Sequence, residues 1–254
     1  MHNIDIDEVS DEFRRCWIAA GRHIEDKGVG ESHSWLRAHL NPPFLEHLSF
    51  RLGNQLFYIR LEDIDGRLQT PGDISGLVSI AEGCAGHACI MPMQMKGAGW
   101  EPAETGWGLL DAITLKRIHP PALVSDKKIV MTDWELHDFA VQVVRTEIEN
   151  DGGDLISWTS NPGVNPSVWF TGESGQEWVV VRAIRYPQKT AQPPEDLDAV
   201  RAHFKMLGYS GYFASVAVAS ADDPFDAQPG DNGSAAPLYR GHGLYVSYGG
   251  LRKL

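Results

Sequence analysis

Apolar residues in this chain recur at two spacings, and the change from one to the other marks its elements. The clearest stretch is 132–150, where Leu136, Phe139, Ala140, Val143, Val144 and Ile148 fall at i, i+3, i+4, i+7, i+8 and i+12. That is the stripe of one amphipathic helix. Thr132-Asp133-Trp134-Glu135 supplies a capping box at its start, and Gly152-Gly153 ends it. Strands are predicted over 155–158, 168–170 and 178–184, with a turn at Gly172-Glu173-Ser174-Gly175 between the last two. Residues 178–181 are apolar at every position, as in a strand covered on both faces. A second helix spans 195–207, entered through Pro193-Pro194 and stopped by Gly208. Strands at 212–219 and 238–248 follow, separated by the turn-rich segment 221–237.

The first half is less regular. A helix capped by Ser10 is predicted to end at Gly21. A second helical stretch begins near Ser32 or Ser34 with Trp35, Leu36 and Leu40, and Pro42-Pro43 interrupts it. Phe44, Leu45, Leu48 and Phe50 read as a further helical turn or two. The period then changes: 56–61 is a strand closed by a turn at 63–66, 74–85 a helix and 88–95 a strand. Pro92 would confine that last strand to an edge or a bulge. Residues 97–127 read as long loops with short strands at Leu109-Leu110 and at 122–124.

These elements predict an α/β (or α+β) fold with mixed sheets. Its organisation is an N-terminal helical segment (1–30), a first α/β unit (31–97), a connection containing Trp, Gly and Pro (98–131) and a second α/β unit (132–254). Gly53-Asn-Gln-Leu-Phe-Tyr-Ile-Arg60 and Gly175-Gln-Glu-Trp-Val-Val-Val-Arg182 share one layout. Each precedes a turn, a short helix and an apolar strand. Two strand–helix–strand units, the product of an internal duplication, would give that echo.

From Thr132 onward the order is helix, strand, hairpin, long central strand, helix, strand. With Asn165-Pro166-Ser167-Val168-Trp169-Phe170 and Glu177-Trp178-Val179-Val180-Val181-Arg182-Ala183, residues 132–248 resemble the core of the PD-(D/E)XK nuclease superfamily. The resemblance lies in layout more than in motif. It implies carboxylates holding Mg²⁺ for phosphodiester cleavage, yet the matching positions carry other residues. Ser167 stands where the metal-binding Asp would be, Val180 where the second acid would be and Arg182 where the lysine would be. A hydroxyl and an isopropyl group do not supply the anionic oxygens that Mg²⁺ requires. The resemblance therefore implies a pseudo-nuclease that has lost its metal site.

Composition narrows the functional classes. The 254 residues carry 22 Lys plus Arg against 34 Asp plus Glu, a net charge of −12. Nucleic-acid binding calls for the opposite balance. The acidic, polar start has no apolar leader, no apolar run is long enough to span a membrane, and three cysteines make no disulfide framework. A bacterial cytoplasmic protein is the expectation. No Gly-x-Gly-x-x-Gly, P-loop or Gly-x-Ser-x-Gly is present, so no cofactor is expected.

Three functional classes follow. The first is a non-catalytic acidic protein that engages a basic protein partner, as an immunity or inhibitor protein would. Its candidate binding residues are Arg60, Arg182, Trp100, Trp107 and Trp169, the last three from a set of eight tryptophans, a type enriched at interface hot spots. The second is a divalent-metal nuclease with displaced carboxylates, drawn from Glu147, Asp154, Glu173 and Glu177 together with Arg182. A basic groove around Arg182, Arg185, Lys189, Arg201 and Lys205 would serve it. The third is a zinc or thiol site at Cys84, His87 and Cys89, which offers three ligands within six residues but no fourth. Oligomeric state is left open.

Overall fold

The computed structural model describes residues 10–29, 33–37 (backbone only), 48–172, 175–223, 225 and 235–254. The chain divides into two compact units, Met1–Lys127 and Lys128–Leu254. Each is an α/β unit built on one mixed sheet.

The first unit begins with helix α1 (Asp11–Gly28), where the Ser10 hydroxyl accepts from Phe13 N at 3.1 Å. Gly21 does not end this helix. A mid-helix glycine costs about 1 kcal/mol, and the stripe of Phe13, Trp17, Ala20 and Ile24, all essentially buried, outweighs it. Strands β1 (His33–Arg37), β2 (Leu48–Leu52) and β3 (Gln55–Asp63) follow as an antiparallel run. The expected helix through Trp35 and Leu36 is thus a strand, because pairing with β2 overrides local preference. Leu48 and Phe50 are likewise strand residues, while Leu40, Pro42, Pro43, Phe44 and Leu45 lie outside the described residues.

Helix α2 (Ile74–Gly83) then carries the chain over to β4 (His87–Lys96), which pairs with β3 in parallel. Residues read from the sequence as part of a connection complete this sheet: β5 (Gly99–Pro102), β6 (Leu109–Asp111) and β7 (Arg117–Ile118). Pro92 sits inside β4 rather than on an edge. The far side of β4 pairs with β6 at Cys89 and Ile90 and with β5 from Met93 onward, so Pro92 falls at the handover. Its carbonyl accepts there from Ala103 N at 2.8 Å, and its missing N–H faces the same junction. Pro120–Leu123 is a 3-10 helix and not a strand, since two successive prolines lack donors for a ladder.

The second unit repeats the order. Helix α3 (Asp133–Asn150) carries the full capping box of Thr132 and Glu135. Strands β8 (Asp154–Trp158), β9 (Val168–Gly172) and β10 (Gly175–Arg185) run antiparallel, and helix α4 (Leu197–Met206) crosses to β11 (Ser210–Ser220), parallel to β10. Strands β12 (Leu244–Tyr248) and β13 (Arg252–Lys253) pair with the far side of β11. The expected strand over 238–248 is therefore shorter, with only a bridge from Tyr239 to Val130 before it. The two N-terminal helices each have 18 residues and the two crossover helices each have 10.

Pleating sends alternate residues of β10 to opposite sides. Val179 and Val181 join Leu136, Ala140, Val144 and Ile148 of α3 in one core. Trp178 and Val180 join Leu197 and Phe213 in a second core, against which Phe204 packs. Gly211 is required here, because a Cβ would meet the Trp178 indole at 2.1 Å.

Two local devices stand out. The Glu135 carboxylate accepts from Thr132 N at 2.8 Å and receives the Arg240 guanidinium in two bonds of 2.7 and 2.8 Å, with both side chains buried. In the β6–β7 turn, Leu115 holds a left-handed φ of +55° while 61% exposed. Asp111 braces that turn. The N–H of Thr114 above all, with its hydroxyl and the N–H of Ile113, holds the Asp111 carboxyl below its ordinary value against its partial burial.

Arg240→Ala is expected to cost about 3 kcal/mol or more in urea unfolding, because it strands a buried carboxylate, while the pair Glu135→Gln with Arg240→Met costs less. Leu115→Asn is expected to raise stability by roughly 0.5 kcal/mol, since Asn adopts the left-handed region more readily and an exposed Leu forfeits little burial. A lower melting temperature for this variant would show that Leu115 makes a stabilising contact there.

Candidate functional site

The positions that the expected nuclease resemblance singles out lie on β10 and in the loop before β9. Ser167 is fully buried and extends the ladder. Its N–H donates to Val179 O at 2.8 Å, its carbonyl accepts from Thr159 N at 2.9 Å and its hydroxyl accepts from Val181 N at 3.1 Å. Val180 is packed beneath α4. Arg182 donates to Asn165 Oδ1 at 3.0 Å and to Val181 O at 2.7 Å, and Asn165 in turn donates to both carboxylate oxygens of Asp196. Burial lowers the Arg182 pKa and the charge of Asp196 opposes that shift. A hydroxyl already in the ladder, an isopropyl group and a cation do not fit Mg²⁺.

Glu177 faces the opposite side from Val180 and Arg182, as strand alternation requires. It is 5% exposed, and its carboxylate accepts from the Tyr212 hydroxyl at 3.0 Å. Gly172 leaves room for it, since a Cβ there would meet Glu177 Oε2 at 2.1 Å. Glu173 lies outside the described residues. Glu147 is exposed on α3 and Asp154 exposed at the start of β8. Among the described residues, no three His, Cys, Asp or Glu side chains are grouped to hold a metal ion.

Arg60 lies on β3 opposite Ile90 of the parallel strand β4, as Arg182 lies on β10 opposite Ser215 of the parallel strand β11. It donates to Gly72 O at 2.7 Å, to the Thr70 hydroxyl at 2.7 Å and to Pro71 O, and it lies 3.5 Å from Glu62. Each arginine thus fastens its strand near the entry to the crossover helix, one through backbone carbonyls and the other through Asn165 and the carboxylate of Asp196, the residue just before α4. Of the five basic residues expected to form a groove, two are neutralised by nearby acids. Arg185 is bonded to Asp133 and to Met131 O, and Arg201 is paired with Asp198 at 3.1 Å.

The three tryptophans differ. Trp107 is buried and stacks on Phe50, with ring centroids 5.9 Å apart. Trp169 is half-buried and meets Phe204 and Tyr209 edge-on at 4.9 and 5.6 Å. Trp100 donates its indole N–H to Glu12 at 2.6 Å and also lines an open groove of about 490 Å³. That groove runs between α1 and the β4–β5 hairpin, beside Ile18, Ala19, Arg22 and His23. Sequence reading singled out Trp100 but not its neighbours. The flank of α1 is a mixture of charged and small residues, and nothing local distinguishes it from a solvated face.

Cys84 caps the C-terminus of α2 and Cys89 is fully buried on β4. His87 bonds Gln55 Oε1 at 3.0 Å and stacks on Phe57. Burial above all, and then the negative charge of Asp111, pushes the Cys89 thiol upward, away from the thiolate that zinc or nucleophilic chemistry needs. Cys16 is pushed up to about 12, chiefly by burial and further by Asp63 and Glu12.

Residues 134–254, running from α3 to the last residue, are similar to a family described as a domain of unknown function (DUF8840). No curated protein and no solved structure matches the chain.

All three cysteines are buried, so an aromatic disulfide reagent at pH 8 is expected to titrate none of them promptly in the folded protein and all of them in denaturant. Immediate reaction of Cys84 would revive the thiol-enzyme class.

Proposed function

We propose that the protein is a non-catalytic, acidic binding protein of a reducing cytoplasm, which holds a basic protein partner as an immunity or inhibitor protein does. The observation that carries this reading is the occupancy of the nuclease-like positions. Ser167 belongs to the backbone ladder, Val180 to a packed core and Arg182 to a clamp on the crossover helix. The scaffold is then a pseudo-nuclease, its strand–helix–strand frame kept for shape.

Charge supports the choice of partner. Residues 1–127 hold 18 acids against 12 lysines and arginines, and residues 128–254 hold 16 against 10, so each unit carries −6. A field of one sign over both units speeds encounter with a cationic surface and disfavours nucleic acid. Such attraction weakens as the screening length shortens, to about 8 Å at physiological salt.

Two measurements test the reading. Incubated with Mg²⁺ or Mn²⁺ and mixed DNA and RNA, the protein is expected to leave the nucleic acids intact. Divalent-dependent cleavage abolished by Glu177→Gln would overturn the proposal in favour of displaced carboxylates. A partner co-purified from the native host is expected to be basic and to bind more weakly as salt is raised. A complex with an acidic partner, or one insensitive to salt, would remove the electrostatic part.

A further inference from the structure

On α1 the buried stripe of Phe13, Trp17, Ala20 and Ile24 is turned inward. One step round the helix, Ile18, Ala19 and Arg22 form the wall of the groove already described, and the hairpin residues Gly99, Trp100 and Glu101 form its other side. The strand that borders the groove is hydrogen-bonded on one side only, because β5 pairs with β4 and with no other strand among the described residues.

The hairpin geometry says which peptide groups are left over. Lys96 pairs with Gly99 across a two-residue turn, in which Gly97 holds a φ of +63°. The closing pair of such a hairpin bonds inward, and bonded and non-bonded pairs then alternate. Trp100, opposite Met95, is a non-bonded position, so its N–H and C=O point away from β4. Neither group has a backbone partner among the described residues. An edge of this kind is a template for another strand.

We infer that this groove takes an extended segment of a partner protein, which adds to β5 as a further strand. A helix flank beside an open strand edge is the arrangement that strand addition uses: the edge supplies main-chain bonds, and pockets receive alternate side chains. The pocket between Ile18, Ala19 and the Trp100 ring takes an apolar side chain. The walls carry both signs in balance, Arg15 and Arg22 against Asp26 and Glu101. Arg15 is paired with Glu12, and Glu101 lies 3.0 Å from Lys96. His23 donates to Gly106 O at 3.1 Å, and its pKa is lowered, chiefly by burial. The groove therefore reads an alternating apolar pattern rather than net charge. Along the roughly 13 Å of β5 the outward groups are the Trp100 N–H and C=O and the Pro102 C=O, enough to hold a short segment of an incoming strand. This inference rests on the reading of the chain as a binding protein and names the site.

The test is selection of random displayed peptides of about nine residues on the full chain, followed by synthesis of an enriched sequence with a fluorescent label. Saturable binding is expected, weakened about tenfold or more by Ala19→Trp, which fills the groove, and by Ala19→Glu, which charges it. Both changes lie on the flank and not in the core, so melting temperatures should stay close to that of the parent. Methylation of the peptide's backbone nitrogens one at a time should weaken binding at two positions spaced two residues apart, whose N–H groups face the Trp100 and Pro102 carbonyls, and be tolerated between them. Failure to enrich any peptide, binding indifferent to both Ala19 variants, or tolerance of methylation at every position would each overturn the inference. A basic partner that still binds the Ala19 variants would remove the groove and leave the binding function standing. Metal-dependent cleavage would remove that function on its own.

Discussion

Burial of the central strands on both faces is the constraint from which most of this molecule follows. In the second unit, β10 is covered by α3 on one side and α4 on the other, so successive residues must satisfy two different cores. Val179 and Val181 serve one, Trp178 and Val180 the other. A strand read by two cores has little room for ionisable side chains in its middle, because a buried charge demands a partner. Charge is tolerated only toward the ends, where Glu177 meets the Tyr212 hydroxyl and Arg182 meets Asn165.

The same constraint accounts for the paired arginines. A central strand that leaves its sheet to enter a crossover helix exposes backbone carbonyls at the bend, and a planar guanidinium can satisfy several acceptors at once. Arg60 does so directly, with donors to Thr70, Pro71 and Gly72. Arg182 instead reaches the helix entry through side chains, donating to Asn165 Oδ1 while the Asn165 amide donates to the Asp196 carboxylate. Both arginines of the repeated Gly-to-Arg segments are committed to the fold, one on carbonyls and the other on an Asn–Asp pair of side chains.

The units part company beyond β4 and β11. The first closes its next hairpin with Gly97 and Ala98, leaving the flank of α1 beside a short open edge. The second inserts residues 221–243 before β12, and part of that insertion returns to the start of α3. There Met131 N donates to Leu238 O at 2.8 Å, Arg240 N donates to Ile129 O at 3.0 Å and the Arg240 side chain is buried on Glu135. One layout therefore carries an open groove in one unit and a locked helix start in the other.

Periodicity and capping chemistry were enough to read α3, its box of Thr132 and Glu135, the two-faced strand β10 and the strand–helix–strand echo, because each is written in residues close along the chain. Local reading failed where distant pairing outweighed it. Gly21 lies mid-helix because Ile24 is buried, residues 33–37 are extended because β2 pairs with them, and Pro92 is interior because two strands hand over beside it. Whether a given residue was available for function also depended on tertiary structure. Arg60, Arg182, Trp107 and Cys89 all looked like candidates as residue types, and each is consumed by packing or hydrogen bonding that spacing cannot reveal. The groove is the converse case: Ile18 and Ala19 say nothing until residues some 80 positions later in the chain bring Trp100 against them. Sequence alone determined the elements with a local period and the acidic balance. The folded chain decided which side chains remain free, because that depends on contacts between segments far apart along it.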